Sequence, residues 1–267
     1  MALVAAPAWA QSSPASSQAE TGELADIGDT GLGLSFSTGV SYSSGDYGAP
    51  AKTKLLVVPF SLRASAGDWR FSATLPYLRI DSPGNIVGGG TGGPIVIDPN
   101  APATREVRKG LGDLSLGASY TLPSGTLGGF DLDLSGRVKL PTSSERKSLG
   151  TGKTDFAVSA ELSRTIGIWS PFVNVGYRFY GDPEGFDLRN GPSASVGTTV
   201  QLGTTVAIAS YDYSRATSRA TNDAHELFGA LSGPLSDRLN WTAYGIAGLS
   251  EGSPDYGLGL LITFKLR

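Results

Sequence analysis

The sequence predicts an all-β fold, a single closed antiparallel transmembrane β-barrel of about 12 strands, and three observations carry that prediction. Stretches of about ten residues alternate apolar with small or polar side chains, as a strand with two unlike faces requires. Short connections and long ones take turns along the chain. No apolar run reaches the roughly 18 residues that a membrane helix needs, so a membrane-spanning chain of this kind has only the closed barrel available.

The chain opens with MALVAAPAWA followed by Gln11, an apolar run in which Ala8 and Ala10 flank Trp9 in the A-x-A pattern of a secretory cleavage site. Residues 1–10 are therefore expected to be a signal-peptide remnant. Residues 11–28, rich in Ser, Ala, Pro and Gln, lack core-forming periodicity and are expected to be a flexible lead-in. The barrel is expected to occupy residues 29–267.

Its first strand runs from Thr30 to Tyr42, with Leu32, Leu34, Phe36 and Val40 on one face and Gly and Ser on the other. The second places Leu56, Val58, Phe60 and Leu62 together, and Ala66, Gly67 and Asp68 turn tightly into a third carrying Trp69, Phe71, Leu75 and Tyr77. A Gly- and Pro-rich insertion follows from about Asp81 to Gly110. It is far longer than a usual connection, and is expected to be a gate or an external loop.

Strand four aligns Leu114, Leu116, Ala118, Tyr120 and Leu122. Strand five aligns Phe130, Leu132, Leu134, Val138 and Leu140 across the PSGTLGG turn. A polar loop from Thr142 to Lys153 leads to strand six near Thr154 to Ile166, and strand seven is PFVNVGYRFYG. The same rhythm repeats to the end. The closing strand, Tyr256 to Leu266, puts Tyr256, Leu258, Leu260, Ile262, Phe264 and Leu266 on one face, and such an apolar edge must be paired. It is expected to meet the first strand, with Lys265 directed inward.

An even strand count brings both termini to the short-turn rim, which in outer-membrane barrels is periplasmic. Trp69, Trp169, Trp241 and Phe264 fall at or near that rim, whereas Tyr42, Tyr77 and Tyr256, together with Phe179, Tyr211 and Tyr213, are expected toward the other. Two aromatic belts at the lipid interfaces would result. A soluble antiparallel sheet would also alternate its faces, but has no reason to sort aromatics in this way.

Composition narrows the function. A net charge of -3 and a pI near 5.2 leave no broad basic surface, so no nucleic-acid partner is expected. The absence of cysteine removes thiolate metal sites and disulfides, and the acidic residues show no ligand spacing. No cofactor and no metal are expected. The expected partners are membrane lipid and a small-molecule solute.

If the apolar faces meet lipid, the alternate faces line the interior. Asp131, Asp133, Arg137 and Lys139 lie there on strand five and Asp155 and Glu161 on strand six, with Arg63, Arg70, Arg178 and Asp212 as further candidates for lumen and selectivity residues. Such charges either tune a conduit or pair into a plug. About 12 strands lies between the side-chain-filled eight and the open sixteen, so both readings stand.

Enzyme signatures are weak. His225, the one histidine, is followed by Glu226 and Leu227 rather than by a serine, so an outer-membrane lipid hydrolase is the lesser alternative and no catalytic residue is expected. Gly88, Gly90 and Gly93 match G-x-G-x-x-G without a following helix, and Ser144 and Lys147 match S-x-x-K without companion motifs. A structural or surface-interaction barrel with a plugged lumen is the other alternative to a channel.

GLGDLSLGASY (Gly110 to Tyr120), LPT (Leu140 to Thr142), LGTGKTDF (Leu149 to Phe156) and PFVNVGYRFYG (Pro171 to Gly181) together resemble one family over roughly Gly31 to the C-terminus. It is the bacterial outer-membrane family labelled "putative MetA-pathway of phenol degradation". The resemblance implies a barrel in the bacterial outer membrane and uptake of aromatic or other small hydrophobic compounds. It supplies no catalytic residue.

Overall fold

The computed structural model describes residues 32–47, 51–83, 86–88, 94–96, 105–183, 188–219 and 221–266. The expectations for residues 1–31, the signal remnant and lead-in, lie outside them. The strands are β1 (Gly33–Gly45), β2 (Thr53–Ala66), β3 (Trp69–Pro83), β4 (Ile86–Gly88), β5 (Pro94–Val96), β6 (Arg105–Leu111), β7 (Leu114–Leu127), β8 (Phe130–Leu140), β9 (Asp155–Ser163), β10 (Trp169–Phe179), β11 (Gly191–Leu202), β12 (Thr205–Ser214), β13 (Ala224–Ser236), β14 (Leu239–Gly248) and β15 (Tyr256–Lys265).

All but β4 and β5, which pair only with each other, form one antiparallel sheet that closes on itself. The first and last strands meet as expected, from Ser35 opposite Lys265 to Ser44 opposite Tyr256. β6 and β7 both pair with β3, β6 through Tyr77 to Pro83 and β7 through Trp69 to Thr74. They are the two halves of one wall strand, interrupted at Gly112 and Asp113, where the Gly112 N–H reaches the Pro76 carbonyl at 2.8 Å. The wall thus counts twelve strands. No helix among the described residues is long and apolar enough to cross a membrane. Strands of 9 residues and more cross as a barrel instead.

Alternation decides which face goes where. Phe60, Val173, Val175, Leu231 and Leu260 point outward and are each about half exposed, whereas their chain neighbours Ser61, Phe172, Asn174, Ser232 and Leu261 point inward and are buried. A continuous apolar surface of this extent on every strand belongs against lipid. The inward serines and threonines knit neighbouring strands together. Ser37 meets Thr263 at 2.9 Å, Ser61 meets Thr74 at 2.9 Å, and Thr242 donates to Ser232 at 3.0 Å.

The connections are short at one rim and long at the other. Four short turns open on a glycine in the left-handed region, Gly67, Gly128, Gly167 and Gly203, a conformation that L side chains rarely adopt. Three details differ from the sequence reading. The Asp81 to Gly110 insertion is not loop throughout, because Asp81 to Pro83 and Arg105 to Gly110 extend the wall as strand; part of the remainder lies outside the described residues, Gly90 and Gly93 among it. The PSGTLGG turn shrinks to Gly128 and Gly129, with a register shift between Leu122 and Leu127. Tyr77 pairs with Val58 at mid-strand, so it lies below the upper rim that Tyr42 and Tyr256 occupy.

Candidate functional site

The inward face divides into two arcs. One is charged: β8 contributes Asp131, Asp133, Arg137 and Lys139, and its register sets Asp133 opposite Glu161 and Lys139 opposite Asp155 on β9. Arg70 from β3 donates to Asp133 and, at 2.7 Å, to Thr121, whose hydroxyl also donates to Asp133. Asn174 on β10 donates to Glu161 at 3.2 Å. Pairing of this kind offsets the cost of taking charges out of water. Arg63, Arg178 and Asp212 occupy inward positions on β2, β10 and β12 by the same alternation.

The largest of the fully enclosed groups is Lys139, only 2% exposed. Its Nζ lies 3.1 Å from Asp113 Oδ2 and 2.9 Å from Asp155 Oδ2, and it donates to Thr151 Oγ1 at 3.0 Å. The carboxylates are held in turn. Asp113 accepts from the Ser143 N–H at 2.9 Å and Asp155 from the Gly181 N–H at 3.0 Å. Thr151 and Ser143 belong to the loop between β8 and β9, so this network draws residues 141–154 inward over the mouth. Leu149, 1% exposed, packs against Gly110 and joins the apolar cluster of Leu55, Val57, Leu78 and Ile80. Sequence reading placed Lys139 and Asp155 in the lumen but missed Asp113, Leu149 and Thr151. The strand break at Gly112 was the available signal.

Tyr47 turns inward in the neighbouring loop, with φ 54° and its hydroxyl 3.3 Å from Ser43 Oγ. Burial pushes its phenol above the ordinary value.

The second arc is apolar. Val206 and Ile208 on β12, Phe228 and Ala230 on β13, Tyr244 and Ile246 on β14 and Leu261 on β15 are all buried inward. Phe228 and Tyr244 stack with ring centroids 6.0 Å apart. Two inward rings lie over glycines directly across the strand pair: Tyr244 opposes Gly259, and Phe172 opposes Gly197. A Cβ on Gly259 would come within 2.1 Å of the Tyr244 hydroxyl, and one on Gly197 within 2.6 Å of the Phe172 ring. Glycine is what allows these rings to lie along the wall. Gly259→Val is expected to push the Tyr244 ring toward the bore, and reduced solute flux through the variant, at unchanged barrel content by circular dichroism, checks it.

Outside, Trp69, Trp169, Trp241 and Phe264 lie on the lipid face toward the short-turn rim, with Trp69 5.0 Å from Tyr120 and 6.0 Å from Phe71. Tyr42 and Tyr256 lie at the other rim, 6.1 Å apart. His225 is on the same outer face, its Nδ1 2.6 Å from the Tyr211 hydroxyl. The hydroxyls of Ser250 and Ser253 accept from its backbone N–H at 3.0 and 2.9 Å instead of meeting the imidazole. Ser144 and Lys147 lie in the inward loop, joined by a backbone bond of 3.1 Å.

A closed wall, apolar outside and polar or charged over half of its inside, with short turns at one rim and long loops at the other, defines a transmembrane β-barrel of the bacterial outer membrane. The chain belongs to the family described as "Putative MetA-pathway of phenol degradation", which matches residues 58–266. Among solved structures it is similar to the COG4313 outer membrane channel from Pseudomonas putida F1, with 15% identity, a TM-score of 0.62 and coverage of 91% of this chain and 99% of that one. It is more loosely similar to the CymD monoaromatic hydrocarbon channel, with 11% identity, a TM-score of 0.48 and coverage of 99% and 98%. The translocator domain of the autotransporter NalP from Neisseria meningitidis gives 11% identity, a TM-score of 0.48 and coverage of 90% of each chain. No curated protein matches the chain.

Proposed function

We propose that this barrel is a narrow outer-membrane channel for small molecules with an aromatic or otherwise apolar body, with periplasmic termini and the long loops outside. The observation that carries this reading is the division of the inward face. A ring can lie against Phe228, Tyr244 and Ile246 while a hydroxyl or other polar substituent turns toward the charged arc of β8 to β10. Family membership supports an aromatic solute. The ion pairs of the charged arc, together with Arg63, Arg137, Arg178, Asp131 and Asp212, set width and selectivity. Loop 141–154, held by Lys139, Asp113 and Asp155, guards the mouth.

The inward loop also favours a second reading, a structural barrel with a filled lumen. Uptake separates the two. Cells producing the wild-type chain are expected to take up labelled phenol faster than vector controls, and Phe228→Asp with Ile246→Asp lowers that gain about 30-fold or more, since two apolar contacts each worth about 1–3 kcal/mol of discrimination are lost. Uptake equal to the vector control would favour the filled barrel. The outward His225 has no role in this reading. His225→Ala is expected to leave uptake unchanged, and a lipid-hydrolysis activity abolished by that substitution would contradict the non-enzymatic reading.

A further inference from the structure

On β1, β9, β10, β12 and β15 the outward face at the long-loop rim is aromatic, with Tyr42, Phe156, Phe179, Tyr213 and Tyr256. Over β2, β3 and β6 it is cationic. Arg79 and Lys109 are directly opposite one another across the β3–β6 pair, and Lys54 opposes Asp81 on β2–β3, diagonal to Arg79. All three are exposed and share the face of Leu56, Tyr77 and Leu111, the lipid-facing side. The neighbouring carboxylate is already engaged, Asp81 meeting Arg105 at 2.6 Å. Among the described residues none of the three cations has an ion-pair partner.

Like charges directly opposite on adjacent strands destabilise a sheet. Here they persist side by side above an apolar floor of Tyr77 and Leu111. An anion at this level would relieve the repulsion and be held from two or three strands at once. The level is set by register, because Lys54 and Tyr256 both oppose Ser44. It is therefore the headgroup level that the Tyr42 and Tyr256 belt marks.

We propose that Lys54, Arg79 and Lys109 form a binding site for the phosphorylated glycolipid of the outer leaflet, the sugar phosphates against the three cations and the acyl chains against Tyr77 and Leu111. Two phosphates on one headgroup match a site with a close Arg79–Lys109 pair and a third cation diagonal to it. The choice of leaflet rests on the orientation given above, with long loops outside.

The test is a titration of the full chain in detergent micelles with bisphosphorylated lipid A, followed by native mass spectrometry. Each basic side chain near an anionic lipid surface contributes about fivefold, so the combined Lys54→Gln, Arg79→Gln and Lys109→Gln variant is expected to bind about 100-fold more weakly. Arg164→Gln with Arg238→Gln, at the short-turn rim, is expected to bind as wild type does. Unchanged heat-shifted gel mobility shows that the variants are folded. Equal binding by the triple variant, equal binding of dephosphorylated lipid A, or equal binding of phosphatidylglycerol overturns the assignment. Orientation is read separately, because the chain has no cysteine of its own. A membrane-impermeant maleimide is expected to label Glu251→Cys but not Asp237→Cys in intact cells, and the reverse pattern removes the leaflet assignment whatever the titration gives.

Discussion

Lys139→Met is expected to destabilise the folded barrel by about 3–5 kcal/mol, the cost of leaving buried charge without its counter-ion. Lys139 stands between Asp113 at 3.1 Å and Asp155 at 2.9 Å, and with Asp113 enclosed and the Asp155 side chain only 11% exposed neither carboxylate is well solvated when the ammonium is removed. Methionine keeps most of the side-chain volume, so the loss is electrostatic rather than a cavity. Urea unfolding in detergent micelles measures it. Adding Asp113→Asn and Asp155→Asn to Lys139→Met is expected to recover much of the loss, since a neutral set in the same place has no charge to strand. A single-variant effect within about 0.5 kcal/mol, as at an ordinary surface site, would show that the network does not hold the loop.

Val175→Arg is expected to cost about 2–4 kcal/mol in lipid vesicles, because a charge placed near the middle of the lipid face must be dragged into hydrocarbon. Val175 lies at the centre of β10, 55% exposed, opposite Ala160 on one side and Ala194 on the other. The inward position Ser159, one residue from Ala160 on β9, is the control: Ser159→Arg faces the polar arc and is expected to cost far less. Folding yield into vesicles and urea midpoint compare the two. Equal penalties at both positions would mean that the outward face does not meet lipid.

The wall was legible in the sequence because its two faces are chemically unlike. Leu258, Leu260 and Phe264 alternate with Gly257, Gly259 and Thr263, so period alone gave the faces and the need for a partner, and β1 supplied it in register. Alternation also placed Asp133, Lys139, Asp155 and Glu161 inward. The apolar arc was harder to read. On β13 and β14 both faces carry large apolar residues, Leu227 beside Phe228 on β13 and Trp241 outward with Tyr244 and Ile246 inward on β14, which erases the contrast that alternation depends on. The role of loop 141–154 was hidden for a different reason. Its contacts, Ser143 with Asp113 and Leu149 with Gly110, cross 30 and 39 residues of sequence and arise only because β6 and β7 break where the loop docks, a tertiary arrangement with no local period. The Asp81 to Gly110 insertion is the longer connection, yet its ends serve as wall.

The central claim is that the lumen is a solute path guarded by loop 141–154, and single-channel current in planar bilayers tests it most directly. Wild-type protein is expected to give small, intermittent steps. Lys139→Met, which frees the loop from the wall, is expected to give larger or longer openings whose ion selectivity shifts again when Asp131 and Asp133 are neutralised. Silent bilayers for both the wild type and Lys139→Met, with folded barrel demonstrably inserted, would contradict the account and leave a filled structural barrel in its place.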